Sequence, residues 1–259
     1  HRKSRHLQAY AFQEQLWNSG FDDLSSDRIS VSRPVGVVPE WRMWLQEYVA
    51  GQDGWTLMKG PKNKDLASLI AQAVAKLAEV GVATDRTHTL EDELHLLELK
   101  FSELAESMPQ LKSRLDNLLQ KCHDLGETLA PSPDLGIHRD FYPDQVIYNR
   151  NRLFVVDHDL CCPGDPCLDI GNYCAHSLEK ALRDSANSKS LLEFAQSLKQ
   201  EFIEVYSVVG REQQISCTVD TFETISLARH IYLSTKFADR RPSTVAILEL
   251  CESRLALTM

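Results

Sequence analysis

Glycine is scarce in this chain, 11 of 259 residues, and no glycine-rich cluster occurs before Gly20. No apolar run approaches the roughly 18 residues that span a bilayer, and the first residues hold no apolar signal-peptide core, so a cytoplasmic protein without membrane contact is expected. Positive charge is also in deficit. Lys and Arg number 28 against 37 Asp and Glu, a formal net charge of −9, whereas a nucleic-acid partner usually requires a clustered basic face. The basic opening, His1-Arg2-Lys3-Ser4-Arg5-His6, is short and runs straight into a helical pattern.

Cysteine is present without a framework. Seven residues (Cys122, Cys161, Cys162, Cys167, Cys174, Cys217 and Cys251) form an odd set with no repeated spacing, so reduced, mostly buried thiols are expected rather than disulfides or a zinc site. There is no Gly/Ser linker, internal repeat or low-complexity tract. The chain opens on His rather than Met with a helix beginning at once, and the expectation is that its natural beginning lies upstream.

What is there reads as helix, strands, then a mostly helical remainder. Arg5 to Asn18 follow a helical period with Gly20 as a stop. Glu14 is the only acid in that helix, and by residue type alone it is a solvated surface residue. Ile29 to Val49 alternate about a Pro39-Glu40 turn and predict two antiparallel strands, the second broken at Gly51. Asp65 to Val80 predict an amphipathic helix. Trp41, Trp44 and Trp55 read as packing residues at strand edges rather than stacking platforms.

From Leu90 to Leu125 apolar residues recur at alternating spacings of four and three, interrupted by Pro109. Proline is tolerated in a first helical turn and not in mid-helix, so two helices, about 88–107 and 109–127, are predicted as an antiparallel hairpin with the stripe as core. His88, His95 and His123 on this hairpin read as surface residues. Ala130-Pro131-Ser132-Pro133 closes the section. After Asp169, helices are predicted over 170–180, 190–209, 217–237 and 243–257.

Between these helical parts lies His138 to Asp169. Ile147-Tyr148, a turn at 149–152 and Leu153 to Val156 predict a short hairpin, which brings Asp140 and Gln145 beside Asp157. Three oxygen-bearing side chains then converge. Phosphoryl transfer needs a carboxylate that orients an acceptor hydroxyl and takes its proton, and hard oxygen ligands for Mg2+. Asp140 fits the first role, Gln145 and Asp157 the second, and Asp159 either adds a ligand or contacts the acceptor.

The segments HRDFYPDQVIY (138–148), VVDHD (155–159) and GDPCLDIGN (164–172) resemble the aminoglycoside phosphotransferase and choline kinase group, small-molecule kinases of protein-kinase-like fold. Protein kinases share the His-Arg-Asp loop but continue with Asp-Phe-Gly and Ala-Pro-Glu, which this chain lacks. The resemblance implies Asp140 as base, Asp157 as principal metal ligand, and Asp165, Asp169 and His138 as braces of the catalytic loop. It further implies Glu14 as partner of the phosphate-binding lysine, and Glu47, Tyr48 and Val49 as the hinge that holds adenine or guanine. The lysine is either Lys3 or a residue ahead of His1. Gln145 stands where the family usually has Asn, moving the amide oxygen by about one methylene.

The expected fold is therefore α+β, two-lobed and protein-kinase-like. An incomplete N-terminal lobe covers 1–51, with helix, two strands and hinge. A mostly helical C-terminal lobe covers 52–259, with the helical hairpin inserted. The expected function is transfer of a phosphoryl group from ATP or GTP, with Mg2+, to a hydroxyl of a small-molecule acceptor, and the resemblance allows a cationic one. The alternative is a non-catalytic, pseudokinase-like nucleotide-binding or regulatory module.

Overall fold

Helix α1 (Arg5–Asn18) buries Gln13 and Leu16 and ends where Gly20 takes a positive φ of 88°. The computed structural model describes residues 5–60, 63–82, 87–130, 133–207 and 210–257. The sequence between Ile29 and Val49 does not form a single pair of strands. It divides into β1 (Ile29–Val31), β2 (Pro34–Val38) and β3 (Met43–Gln46), and only β2 and β3 pair as an antiparallel ribbon. Strand β1 leaves this ribbon and pairs in parallel with β7 (Arg152–Val155), Ile29 opposite Leu153 and Val31 opposite Val155.

A distant residue explains the departure. The Arg152 guanidinium donates to Ser30 Oγ at 2.8 Å and to the Ser25 carbonyl at 2.9 Å, and the Leu153 N–H donates to the Arg28 carbonyl at 2.8 Å. Ile29, Val31, Leu153 and Val155 of the β1–β7 register are buried, so pairing there buries more apolar surface than an extended ribbon in solvent.

Strand β6 (Val146–Asn149) joins β7 through a two-residue turn, Arg150 and Asn151, both at positive φ as a type I′ turn requires. The very short β4 (Gln52–Asp53) completes a sheet of order β1-β7-β6-β4. Gly51 lies so close to β6 that a Cβ there would stand 2.6 Å from the Tyr148 carbonyl oxygen, which is why the chain has glycine at this point. A second ribbon, unanticipated from sequence, pairs β5 (Leu135–Ile137) with β8 (Cys162–Gly164).

The helices form two cores. The first gathers α1, the sheet, α3 (Asn63–Glu79), α6 (Cys167–Arg183) and α7 (Ser188–Tyr206), with the short α2 (Gly54–Met58) beneath β4. The second gathers α4 (Leu90–Ser107), α5 (Lys112–Gly126), α8 (Glu212–Lys236) and α9 (Thr244–Leu257). The predicted hairpin is present, with a 3-10 turn at Pro109–Leu111, and its stripe, Leu94, Leu97, Phe101, Leu104, Leu115, Leu118 and Cys122, is buried.

Helix α8 is buried nearly all round, the mark of a central element. Its buried threonines hydrogen-bond one turn back, for example Thr221 Oγ1 to the Cys217 carbonyl at 2.9 Å, so their hydroxyls are satisfied inside the helix. Where α6 crosses α8, Gly171 permits contact that a Cβ would block, 2.6 Å from the Glu223 backbone nitrogen. No helix among the described residues is long and apolar enough to cross a membrane. Residues 131–132, and the 208–209 end of the helix expected over 190–209, lie outside the described residues.

Candidate active site

The loop between β5 and β6 carries His138, Arg139 and Asp140, and α6 holds it from below. Asp169, in the first turn of α6, accepts the backbone N–H groups of His138 and Arg139, each at 2.7 Å. Asn172, one turn on, donates from Nδ2 to the Phe141 carbonyl at 3.0 Å. Residues three apart on a helix share a face. The backbone on both sides of Asp140 is thereby tied to one rigid element.

Aromatic packing fixes the loop from other directions. Phe141 lies between His138 and Tyr173, with centroids 5.3 and 5.5 Å away, and Tyr142 stacks on His176 at 4.6 Å. The His138 ring donates from Nε2 to the Val156 carbonyl at 2.9 Å, a role assigned from the partner, since a carbonyl only accepts. Burial lowers the His138 pKa, although Val156, Asp140 and Asp157 pull the other way. Arg139 adopts a φ of 72°, an uncommon conformation outside glycine that the two bonds to Asp169 hold in place.

Across the hairpin, the Val156 N–H donates to the Gln145 carbonyl at 3.0 Å, extending the β6–β7 ladder to the edge of Asp157. Gln145 is buried, whereas Asp157 is exposed with φ 61°, at the entrance to the 3-10 turn His158–Leu160 that carries Asp159. Asp140 and Asp157 act together on the same groups. Burial raises the Tyr142 pKa, and Asp140, Asp144 and Asp157 add to the rise.

Beside this loop pair opens a cleft of about 410 Å3 between the 138–142 loop and the start of α4, lined by residues including Asp92, His95, Arg139, Asp159, Leu160 and Cys162. His88 also lines it but is not the surface residue expected. It is 6% exposed and bonds through Nε2 to Glu93 Oε1 at 2.7 Å, because the chain before α4 folds back under β8, where the His88 N–H meets the Pro163 carbonyl at 2.8 Å.

The N-terminal residues are placed as follows. Glu14 is exposed on α1 and accepts from the Tyr10 hydroxyl at 3.1 Å, while Phe12 of the same helix packs toward His158, centroids 6.4 Å apart. Glu47 follows β3. Its N–H donates to the Arg33 carbonyl at 2.9 Å and its carboxylate pairs with Arg33 at 3.6 Å. Tyr48 is 91% exposed and Val49 half-buried. Lys3 lies outside the described residues. Asn172, Glu93 and Arg229, none of them singled out by the sequence motifs, form a hydrogen-bonded chain beside the loop. Asn172 had a signal, its place three residues after Asp169; Arg229 had none, since its partners lie 57 and 136 residues away.

A model of the phosphotransferase enzyme family matches residues 8–193. Among solved structures, the ADP-bound aminoglycoside phosphotransferase APH(2'')-Ib is 16% identical with a TM-score of 0.57, covering 96% of this chain and 80% of that one. An ethanolamine kinase from Plasmodium vivax is 12% identical with a TM-score of 0.59, covering 97% and 72%. A glucosamine kinase is 18% identical with a TM-score of 0.62, covering 96% and 71%. No curated protein matches the chain. The shared α+β, protein-kinase-like fold, the family match over 8–193 and a loop braced on α6 agree: the chain belongs to the phosphotransferase enzyme family.

Proposed function

We propose that this chain transfers the terminal phosphoryl group of ATP or GTP to a hydroxyl of a small-molecule acceptor. The observation that carries the reading is the position of Asp140, its loop tied on both sides to α6, with Asp157 at the end of β7, just past the point where the Val156 N–H meets the Gln145 carbonyl. Asp140 orients the acceptor hydroxyl and takes its proton as the phosphoryl group moves. Such transfers depend on positioning more than on covalent chemistry, and a braced loop supplies that.

Gln145 and Asp157 are the residues that would hold Mg2+, with Asp159 as a further ligand or a contact to the acceptor. Their donors are hard oxygens, and one or two protein ligands completed by water and phosphate oxygens is the usual Mg2+ arrangement. Bound Mg2+ neutralises charge on the phosphates. Residues 1–51 serve as part of the nucleotide lobe, with Glu14 paired to the phosphate-binding lysine and the backbone of 47–49 against the base. Residues 52–259 form the lobe that carries the catalytic and metal loops.

The acceptor occupies the 410 Å3 cleft, where Asp92 and Asp159 suit a cationic group. Structures similar to this chain hold gentamicin or glucosamine, both amine-bearing.

Thermal melts with ATP, GTP and Mg2+ test the reading. A ligand at 100 times its Kd stabilises by about 2.7 kcal/mol and raises the melting temperature. Asp157→Asn should remove the Mg2+-dependent part of the shift, and Asp140→Asn should keep the shift while abolishing phosphoryl transfer. No shift with any nucleotide, or turnover that survives Asp140→Asn, would sink it.

A further inference from the structure

One cation outside the residues assigned to phosphoryl transfer touches both walls of the site. Arg229 lies in the second half of α8 with its side chain 21% exposed. Its Nη1 donates to Glu93 Oε2 at 3.0 Å and its Nη2 to Asn172 Oδ1 at 2.9 Å. Both partners are buried. A guanidinium can only donate, so Arg229 decides which end of the Asn172 amide faces α8. The NH2 end is left for the Phe141 carbonyl, the bond that ties the chain just after Asp140 to α6.

The other arm reaches the acceptor wall. Glu93 stands in the first turn of α4, its Oε1 bonded to His88, and His88 and Asp92 beside it line the cleft. A buried carboxylate is costly unless paired and hydrogen-bonded, and Arg229 and His88 meet both needs. Burial alone would raise the Glu93 pKa, but Arg229 and His88 hold it below the ordinary value.

We infer that Arg229 is a positioning residue, which through Asn172 and Glu93 locks the catalytic loop and the acceptor wall into one register. The purpose of that register rests on the phosphotransferase reading above; the coupling itself stands on the geometry of the three side chains.

Amide hydrogen exchange on the full chain tests the coupling without any substrate. Arg229→Met should speed exchange about tenfold or more in 138–142 and in 88–96, while α3 amides keep their protection. Asn172→Asp keeps an acceptor for Arg229 but has no donor for the Phe141 carbonyl, so it should loosen 138–142 only; it carries the test if Arg229→Met does not fold. Arg229→Lys, a point donor in place of a fork, should restore one segment and not both. With MgATP as probe and water taking the phosphoryl group in the acceptor's place, Arg229→Met should lower the kcat of hydrolysis to ADP and phosphate about tenfold or more and leave the KM for MgATP within about twofold. Unchanged exchange in 138–142, or a rise shared equally by α3, overturns the inference, as does an unchanged kcat. A wild-type protein that turns over no MgATP counts against the phosphotransferase reading alone, and exchange then decides the coupling.

Discussion

The Asp169 carboxylate accepts the backbone N–H groups of both His138 and Arg139, each at 2.7 Å, across 31 and 30 residues of sequence. A single buried acid thus sets the path of the loop that presents Asp140.

Removing that acid leaves two N–H groups without their acceptor, each costing about 1–3 kcal/mol when buried. Asp169→Ala should therefore lower the unfolding free energy by about 2–4 kcal/mol in urea denaturation. A loss under about 0.5 kcal/mol, the range of ordinary surface changes, would show that the brace contributes little.

Burial pushes the Asp169 carboxyl up to about 7, with the His138 and Arg139 bonds opposing the rise and Asp140 and Asp165 adding to it. An unfolded Asp titrates near about 3.9. Between these values the folded state holds a proton that the unfolded state has released. The contribution of this group is full below the unfolded value and is lost as pH rises through about 7. Asp169→Asn keeps an acceptor oxygen and does not titrate. The stability of wild type relative to Asp169→Asn should accordingly be greater at pH 5 than at pH 8, read from urea midpoints; a difference that grows with pH contradicts the assignment.

Gly171 is held to glycine by contact rather than by conformation. A Cβ would lie 2.6 Å from the Glu223 nitrogen and 2.7 Å from the Phe222 Cβ. Overpacking of this kind costs about 1–3 kcal/mol, against the roughly 1 kcal/mol by which alanine favours a helix. Gly171→Ala should lower the melting temperature, whereas Gly81→Ala, with nothing within 4 Å of its Cβ, should leave it nearly unchanged.

The stripe along α4 and α5 packs against α8 and α9 rather than facing a partner chain. Leu115→Ala removes a side chain that is 1% exposed and should cost about 2–5 kcal/mol. Leu99→Ala, at 51% exposure on the same hairpin, should stay within about 0.5 kcal/mol. Equal effects at the two positions, measured by chemical denaturation, would refute the division into buried and exposed faces.

Local pattern in the sequence determined much of this protein: the period of α1, α3 and the later helices, the Pro109 break, the β6–β7 hairpin, and the spacing of Asp140, Gln145, Asp157 and Asp169. Each is a matter of a few neighbouring residues, whose side-chain period or turn chemistry is complete within one element. Tertiary structure alone decided that β1 pairs with β7, that His88 is buried against Glu93, and that Arg229 joins α4 to α6. Those choices depend on which distant surface offers a buried carboxylate, a free strand edge or an amide to a given residue. Such partners exist only once the two cores have packed, so no local period in the chain records them.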